Sequence, residues 1–424
     1  MTRQKILFLF DHPLALRSYI ETGLIDELNQ NYEISLFFLG SNDENSSKEI
    51  LNLRINAVES FILSIYSNIY WIKIAKKSLS IQNRIWYSKL NFNKLLSARR
   101  IATLCNTFFS SLPVKLFSFF LFNLFRILDL EVKKSRPSKI IYITVGGTLT
   151  ISDFLYTRYH KDIEVITVLE NWDNMSSKAV FAFPPQKIGV WGNQSVNFAE
   201  NIHGIERRSV KPIGNPRINW LLDNVTGNQS KTSIFFGGGS VDFDAEIEYL
   251  IATLGIAKAN NLKIDYLPHP KNYLKMQEVI VKQNLSDVNF LGSFNLSNSR
   301  NKILLPKLID YVKPFQSAKI FISSLSTMNL EAALLDIPSV AIDLSTNLSI
   351  LPNKISDRHN HILEAKQMGI FYFVSNISEY DKLLKNLLSN SKEDDAKRGS
   401  KFDLNYFVNT HQSFLNNLLQ LMNS

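Results

Sequence analysis

The feature that most constrains the fold of this chain is an alternation of short apolar segments with helical stretches, which occurs in both halves of the sequence. Segments typical of buried strands lie at residues 5–10, 33–39, 139–145 and 164–169, and again at 232–236, 263–267, 288–291, 318–322 and 339–343. Helical stretches such as residues 245–259 and 329–335 lie between them. Strands that alternate with helices pair in parallel, so the pattern predicts an α/β protein with two Rossmann-like domains.

The length and the composition also favour two domains. A chain of 424 residues with 45% apolar residues is too long for one small core. The join is expected within residues 211–231, which are rich in Gly, Pro and Asn. We therefore expect one domain over residues 1–215 and a second over 216–400, and a helical stretch within 401–424 could pack back on the first domain.

Cysteine usage and apolar runs indicate the compartment. Cys105 is the only cysteine, which excludes a disulfide framework and a cysteine-based metal site and fits a reducing environment. The first apolar run is about six residues long and ends at Asp11 and His12, so it does not have the form of a signal peptide. No run reaches the length of about 18 apolar residues that indicates a membrane span. These features predict a cytoplasmic protein.

Much of the excess positive charge, which is +9 overall, lies in a predicted helical insertion at about residues 51–136. Basic side chains there alternate with aromatic ones, including Trp71, Trp86 and a run of phenylalanines at 117–125. This pattern fits a surface that attaches to an anionic membrane. It fits equally a helical lobe with an aromatic core and solvated lysines. Nucleic acid is not an expected partner, because no recognition motif is present and 38 acidic residues stand against 47 basic ones.

Residues 321–333, with the sequence FISSLSTMNLEAA, combine a strand end, a cluster of hydroxyl side chains and a helix start. The hydroxyl residues are Ser323, Ser324, Ser326 and Thr327, and Glu331 follows in the first turns of the helix. Backbone N–H groups, hydroxyls and the positive end of the helix dipole suit a phosphate, and a carboxylate one turn further can hold a ribose hydroxyl. The alternative is that these hydroxyl residues only cap the helix.

A histidine ends a second strand of the same predicted sheet. The strand at residues 263–267 is followed by Pro268, His269 and Pro270. Ligands of doubly wound sheets bind beyond the carboxyl ends of the strands, and a histidine held there can donate to a phosphate oxygen. The alternative is a loop histidine that caps a turn.

Glycines end a third strand of this sheet. Gly237, Gly238 and Gly239 follow residues 232–236 and would let the backbone approach a ligand closely, although the sequence is not the GxGxxG dinucleotide fingerprint. Asp242 comes next and could do chemistry in a cleft, or its charge could only favour the helix dipole. Asp242 and Asp244 are not accompanied by further metal ligands, so we expect a site without a metal.

A polar segment follows the strand at residues 164–169 in the first half. Its residues with hydrogen-bonding or stacking capacity are Glu170, Asn171, Trp172, Asp173, Asn174 and Lys178. Glu170 or Asp173 could be the base that activates an acceptor hydroxyl, and Trp172 could stack on a sugar. Asp11 and His12 end the first strand and could join this acceptor site. The alternative is a polar turn capped by Asp173, with Trp172 in the core.

These motifs resemble those of GT-B glycosyltransferases. His269-Pro270 and the segment from Ser323 to Thr327 are similar to the HP and serine/threonine motifs of bacterial transferases that use CMP-activated acidic sugars, such as sialic acid and Kdo. Residues 169–192 resemble a WDN-x-SSK segment of polysaccharide-biosynthesis proteins with this fold, some of which are similar to UDP-GlcNAc 2-epimerases or CDP-glycerol transferases. The E-x7-E motif of many sugar-nucleotide enzymes is absent, because the seventh position after Glu331 is Pro338.

The resemblance implies two facing Rossmann-like domains with a cleft between them. It implies a transferase that moves a sugar from a nucleotide donor, with CMP-Kdo favoured, to a growing bacterial surface glycan such as capsule or the O-antigen of lipopolysaccharide. No cofactor besides the donor is implied, the acceptor would be a glycan or a lipid-linked glycan, and the protein would work peripherally at the inner face of the cytoplasmic membrane.

The resemblance also assigns roles to residues. Glu331 stands where many GT-B enzymes place a ribose-binding glutamate, and Glu170 and Asp242 are the implied catalytic carboxylates. One of them could be a nucleophile if the reaction retains the anomeric configuration. Two alternatives remain open: a sugar-nucleotide epimerase of the same fold, and a non-catalytic subunit of glycan assembly.

Overall fold

The structure is a computed structural model that describes most of the chain. The described residues are 3–39, 50–53, 74, 77–78, 80–81, 125–146, 150–179, 181, 183–225, 230–239, 243–269, 272–292, 307–343, 356–389 and 403–424. The chain forms two compact units: unit 1 comprises Met1–Asn219 and Asn405–Ser424, and unit 2 comprises Trp220–Leu404. Most of the predicted insertion at residues 51–136 lies outside the described residues, as do Asp242 and Pro270.

The sheet of unit 1 has seven parallel strands in the order β3-β2-β1-β4-β5-β6-β7. The strands are β1 (Gln4–Phe10), β2 (Tyr32–Leu39), β3 (Ile50–Leu53), β4 (Lys139–Thr144), β5 (Glu164–Leu169), β6 (Lys187–Val190) and β7 (Val210–Pro212). The central strands are continuous apolar runs, as in Ile6 to Phe10, whose side chains are all buried. Parallel strands need such runs because helices cover both faces of the sheet.

Among the described residues, six helices connect the strands of unit 1 or lead out of it. They are α1 (Pro13–Glu21), α2 (Leu24–Asn29), α3 (Arg126–Ser135), α4 (Thr150–Tyr159), α5 (Asn193–Asn201) and α6 (Pro216–Asn224), and α6 spans the boundary between the units. Leu7 and Tyr142 pack with α3, α4 and α5 in the core on one face, and Phe8 and Phe10 pack with α1 and α2 in the core on the other.

The sheet of unit 2 has six parallel strands in the order β10-β9-β8-β11-β12-β13. The strands are β8 (Ser233–Gly237), β9 (Lys263–Leu267), β10 (Val288–Phe290), β11 (Ala318–Ser323), β12 (Ser339–Ile342) and β13 (Tyr372–Val374). The helices are α7 (Phe243–Ala259), α8 (Tyr273–Lys282), α9 (Leu308–Ser317), α10 (Thr327–Leu334), α11 (Asn360–Met368) and α12 (Ile377–Ser389). Leu250 and Tyr380 belong to the core on one face of this sheet, and Phe315 and Ala332 to the core on the other.

The last residues of the chain complete unit 1. Helix α13 (Phe414–Asn423) begins after Ser413, whose hydroxyl accepts the N–H of Asn416 at 3.3 Å, and it buries Phe414 and Leu418 in the core beside α1. The helical stretch expected within residues 401–424 is shorter than residues 402–422, because residues 403–413 are a loop that contains one 3-10 turn at Leu404–Tyr406. The N–H of Asn409 donates to the carbonyl of Trp191 at 2.7 Å, and this bond holds the segment to unit 1 instead of to a helical turn.

The predicted α/β architecture with two parallel sheets is confirmed. One further element differs from the prediction, because β3 (Ile50–Leu53) is a strand where the helical insertion was expected to begin. Ile50 to Leu53 pair in parallel with β2, an interaction with a distant segment that local sequence does not reveal. Among the described residues, no helix has the length and apolar character needed to cross a membrane.

Candidate functional site

Three polar residues meet at the carboxyl ends of β1, β4 and β5, which we call the first edge. Asp11 follows β1, and its Oδ2 accepts hydrogen bonds from the hydroxyls of Tyr142 and Thr144, each at 2.6 Å. The carbonyl of Thr144 in turn accepts the N–H of Glu170 at 2.7 Å. Since β4 lies between β1 and β5, one threonine links the two carboxylic residues that the sequence assigned to different roles.

The carboxyl of Asp11 has a raised pKa. Burial raises this pKa, although the hydrogen bonds from the hydroxyls of Thr144 and Tyr142 oppose the increase. Its Oδ1 is buried and accepts no hydrogen bond within the described part of the chain. The loss of hydration at this oxygen disfavours the charged form of the carboxyl.

Glu170 has the pKa expected of a general base. Its side chain is only 5% exposed, and Oε2 accepts a hydrogen bond from Nδ2 of Asn215 at 2.7 Å. Burial raises the pKa of Glu170 to about 7, and contributions from Tyr19, Arg217 and Asn215 act in the opposite direction. A base with a pKa near the working pH is both deprotonated often enough and basic enough to take a proton.

His12 and Lys178 form the outer part of the first edge. His12 is the N-cap of α1, and its Nδ1 accepts the N–H of Leu14 at 3.1 Å. Burial, and then the charge of Lys178, lower the pKa of His12, so the neutral imidazole predominates at pH 7. Lys178 itself pairs with Asp173 at 2.8 Å. His12, Lys178 and Asp173, three of the predicted acceptor residues, therefore lie near one another.

The segment after Glu170 is a compact polar turn. Nδ2 of Asn171 donates to the carbonyl of Val145 at 2.6 Å, and the carbonyl of Asp173 accepts the hydroxyl of Ser177 at 2.8 Å. Residues Asn174–Lys178 form a π-helical turn. These contacts agree with the alternative interpretation of the sequence, in which Asp173 organises a turn, and its role in binding an acceptor stays a prediction.

Trp172 is in the core and does not provide the sugar-stacking face that the sequence suggested. The residue is 3% exposed, its Nε1 donates to Oε1 of Gln194 at 2.6 Å, and its ring packs edge-on to Phe407 with centroids 6.0 Å apart. Gln194 and Phe407 are distant from Trp172 in sequence, so their contacts with the indole could not be predicted from the local pattern. Burial of the indole and satisfaction of its N–H explain this placement.

A second group of residues meets at the carboxyl ends of β8, β9 and β11, which we call the second edge. A Cβ atom on Gly238 would lie 2.7 Å from the backbone nitrogen of His269, and one on Gly239 would lie 1.8 Å from Oγ of Ser324. Gly237 is tight as well, with Phe321 at 3.1 Å. Gly238 is therefore required, because its backbone lies directly against the backbone of the His269 loop, and Gly239 lies against the side chain of Ser324.

The N–H groups of this glycine turn are already used within unit 2. The N–H of Gly238 donates to the carbonyl of Leu267 at 2.7 Å, and that of Gly239 donates to Oε2 of Glu246 at 2.8 Å. The carbonyl of Gly239 accepts Nδ2 of Asn272 at 2.9 Å. The glycines thus support close packing at the second edge, and their role in binding a nucleotide stays a prediction.

The four hydroxyl residues at the start of α10 form two groups, according to whether they take part in the cap of the helix. Ser323 donates from Oγ to Oδ1 of Asn329 at 2.8 Å, and the N–H of Ser326 donates to the same oxygen at 2.9 Å, so both residues belong to the cap of α10. Ser324 and Thr327 are partly exposed and lie outside this network. Between them, Leu325 has φ +25°, a left-handed conformation that non-glycine residues adopt at a cost.

His269 and Glu331, the other residues predicted to bind the donor, differ in their exposure to solvent. His269 is partly exposed at the second edge, beside the glycine turn. Glu331 is 1% exposed, so a ribose hydroxyl would have to enter the interior of unit 2 to reach it, and its ribose role stays a prediction. Within the described residues, no group of three or more histidine, cysteine, aspartate or glutamate side chains could hold a metal ion.

Four supporting residues were not singled out as site residues from the sequence. They are Tyr142, Asn215, Glu246 and Asn272. Tyr142, Asn215 and Asn272 act on site residues that are distant in sequence, whereas Glu246 lies seven residues from Gly239, at the start of the helix that follows the glycines. An acidic residue at a helix start favours the helix dipole, which is a weaker constraint than the bond of Glu246 to Gly239.

Comparison with known proteins defines the fold. No protein-family model and no curated protein matches this sequence. Among the solved structures that match, a UDP-GlcNAc 2-epimerase from Methanocaldococcus jannaschii has a TM-score of 0.57 at 12% identity, and the alignment covers 99% of each chain. A UDP-GlcNAc 2-epimerase from Neisseria meningitidis, bound to UDP-GlcNAc, has a TM-score of 0.56 at 11% identity over 99% of each chain.

A glycosyltransferase from Rickettsia africae also matches, with a TM-score of 0.51 at 13% identity over 100% of this chain and 98% of that one. The fold is GT-B. At these identities the comparisons establish the fold alone, and they confirm the architecture expected from the sequence.

Proposed function

We propose that this chain is a sugar-nucleotide enzyme, and more specifically a glycosyltransferase that moves a sugar from a nucleotide donor to a glycan acceptor. The observation that carries the proposal is the convergence of Gly238, His269 and Ser324 at the second edge, beside the start of α10. Ligands of doubly wound sheets bind at such edges. Structures of the same fold in complex with UDP-GlcNAc and with UDP support a nucleotide sugar as the ligand.

The chemistry proposed for the donor needs no cofactor. His269 donates a hydrogen bond to a donor phosphate oxygen, and the hydroxyls of Ser324 and Thr327 bind the same group. The helix dipole at the start of α10 adds favourable potential for the charge that develops when the nucleotide leaves. Among donors, a CMP-linked acidic sugar such as CMP-Kdo is favoured by the resemblance of His269-Pro270 and the serine/threonine segment to motifs of CMP-sugar transferases.

The chemistry proposed for the acceptor uses the first edge. Glu170 takes the proton from an acceptor hydroxyl, since its pKa of about 7 suits a general base. Asn215 keeps its carboxyl oriented, and the carboxyl of Asp11 forms a hydrogen bond with the sugar. The acceptor is a growing bacterial surface glycan, such as capsule or the O-antigen of lipopolysaccharide, either free or linked to a lipid.

The exposed side chains of helix α3 support the proposal that the protein attaches to a membrane. Lipid-linked glycan acceptors would be held at that membrane. Ile127 and Leu130 are 62% and 56% exposed, and Lys134 is spaced to lie on the same helical face. Arg126 is also exposed on this helix. Apolar side chains next to cations are typical of surfaces that lie on anionic bilayers. We therefore propose a protein of the cytoplasm that binds the inner membrane surface reversibly.

The second candidate function is a sugar-nucleotide epimerase. It is favoured by the fold comparisons, which include UDP-GlcNAc 2-epimerases, and by the presence of two carboxylic residues with raised pKa, Asp11 and Glu170, at one edge. An acid and a base in one site can remove and return a proton on the sugar without an acceptor.

A donor screen separates these functions. The protein is incubated with CMP-Kdo, CMP-sialic acid and UDP-GlcNAc, and the products are resolved by chromatography. Slow release of free nucleotide supports a transferase, conversion to an epimeric sugar nucleotide supports the epimerase, and inertness with every donor contradicts both.

Variants of the predicted carboxylates assign the chemistry. Glu170→Gln should lower turnover about 100-fold, the usual effect of losing a general base, with nucleotide affinity unchanged. Asp242→Asn tests the other predicted carboxylate in the same way. Near-wild-type turnover in both variants removes these residues from the reaction and leaves Asp11 as the acid to test.

A further inference from the structure

Glu246 is a buried acid at the second edge that has no role in the proposed reaction. It lies in the first turns of α7 and is 3% exposed. Its Oε2 accepts the N–H of Gly239 at 2.8 Å, and its Oε1 accepts the hydroxyl of Tyr266 on the neighbouring strand β9. One carboxyl group therefore joins the glycine turn, the helix that follows it and an adjacent strand.

The position of the glycine turn determines the position of the predicted phosphate ligands. A Cβ on Gly238 would meet both Oε1 of Glu246 and the backbone nitrogen of His269 at 2.7 Å, and a Cβ on Gly239 would meet Oγ of Ser324 at 1.8 Å. The backbone of the turn therefore has no room for one added atom on the side of the His269 loop and Ser324, so it lies directly against both. In a close-packed region, a displacement of the turn is passed to such neighbours.

The contacts of Glu246 with the described residues indicate a geometric role. Its hydrogen-bond donors in that part of the chain, a backbone N–H and a phenol, are neutral. Burial raises the pKa of Glu246, although both hydrogen bonds oppose the increase. A reduced tendency to ionise lets this carboxyl lie near an anion site with less repulsion than an exposed glutamate would cause.

We infer that Glu246 is a positioning residue that fixes the glycine turn and thereby sets the affinity for the donor phosphates. The inference rests on the proposed function, because it takes the second edge to be the phosphate site. Glu246 does not touch the donor in this account, and it acts through Gly239, His269 and Ser324.

Three variants separate this role from a general contribution to stability. Glu246→Met keeps the volume but removes the acceptor for the Gly239 N–H. Glu246→Gln keeps an acceptor oxygen for Gly239 and an amide that can bond to the Tyr266 oxygen. Tyr266→Phe removes one partner of Glu246 but leaves the Gly239 bond, and it is the matched control for the loss of a buried hydrogen bond.

The measurements are the affinities for CMP and UDP by calorimetry and the hydrogen exchange of the glycine turn in the nucleotide-free protein. We expect Glu246→Met to bind nucleotide about tenfold more weakly, which corresponds to one hydrogen bond, and to exchange faster at Gly239. Glu246→Gln should restore both readouts. Tyr266→Phe should lower the melting temperature while its nucleotide affinity stays within about threefold of the wild type.

The outcomes distinguish the inference from the proposed function. Wild-type affinity and wild-type exchange in Glu246→Met overturn the inference alone. An equal loss of affinity in Tyr266→Phe also overturns it, because the effect would then follow core stability and not the turn. A wild-type protein that binds neither nucleotide nor any sugar nucleotide removes the proposed function, and the inference with it.

Discussion

At the scale of single residues, the proton on Glu170 links the stability of unit 1 to pH. The pKa of Glu170 is about 7 in the folded protein, above the value of 4.5 for an ordinary glutamate, because the group is buried. The folded state therefore binds this proton more tightly than the unfolded chain does. The contribution of protonated Glu170 to the free energy of unfolding is fully present below pH 4.5 and is lost as the pH rises through about 7.

The first prediction concerns this pH dependence. Between pH 5 and pH 8, the free energy of unfolding of the wild type should fall relative to that of Glu170→Gln, by on the order of 3 kcal/mol at most. Urea unfolding at both pH values measures the difference. Parallel pH profiles for the two proteins would show that Glu170 is not buried in its acidic form.

Glu164 provides a control, because its pKa is lowered in the folded protein whereas that of Glu170 is raised. Burial of this glutamate is outweighed by Lys139 and Lys187, which lower its pKa, so its contribution is lost only as the pH falls through that lowered pKa. Glu164→Gln should therefore change the stability of the protein without changing its dependence on pH between 5 and 8.

At the scale of elements, helix α10 combines a cap and a predicted phosphate site in one turn. Asn329 is the centre of the cap, because its Oδ1 accepts from Ser323 and from the N–H of Ser326, and its Nδ2 donates to Oγ of Ser339 at 3.0 Å. Thr327 begins the helix and is partly exposed outside these bonds. Substitution of Asn329 therefore tests the cap of the helix, and substitution of Thr327 tests the predicted phosphate site.

The second prediction uses this separation. Asn329→Ala leaves buried polar groups unsatisfied and should lower the free energy of unfolding by about 2–3 kcal/mol. Thr327→Ala should cost less than about 1 kcal/mol of stability and should weaken nucleotide binding by about 0.5–1.5 kcal/mol, the value of one neutral hydrogen bond. Denaturant unfolding and calorimetry give both quantities. Unchanged nucleotide affinity in Thr327→Ala would support the capping interpretation for this residue as well.

The third prediction concerns helix α3. The wild type should float with anionic vesicles at low salt and less so at high salt, since each lysine or arginine near such a surface contributes about 1 kcal/mol. The double variant Ile127→Glu, Leu130→Glu should stay in the soluble fraction. Ile251→Glu, at a residue that is 44% exposed on α7, is the matched control and should float like the wild type. If the wild type does not float at low salt, the membrane proposal fails.

At the scale of the whole molecule, the sequence predicted the sheets better than the contacts of the site. Continuous apolar strands that alternate with helices, such as β1 and β4, carry their own signal, because a parallel strand must be apolar on both faces. The short edge strand β3 and the loop before α13 depend on pairing with distant residues, and the local pattern did not reveal them.

In the candidate site too, the sequence located some residues correctly but did not reveal contacts that depend on the folded chain. The strand-end residues Asp11, Glu170 and His269 could be located from the sequence, because position along a strand determines which edge of the sheet a residue occupies. The burial of Trp172 and the bond between Glu246 and Gly239 could not, since both depend on which segments of the chain come together in three dimensions.

The last prediction concerns the second edge, which we propose binds the phosphate of a nucleotide sugar. Calorimetric titration of CMP, CDP, UMP and UDP into the wild type and into His269→Ala tests this binding, with His411→Ala, at an exposed histidine of unit 1, as the control. We expect at least one nucleotide to bind, His269→Ala to weaken its binding by about 1.5–3 kcal/mol, as for a charge-assisted hydrogen bond, and His411→Ala to leave its binding unchanged. Equal affinity of the wild type and His269→Ala for every nucleotide that binds would show that His269 does not bind the phosphate.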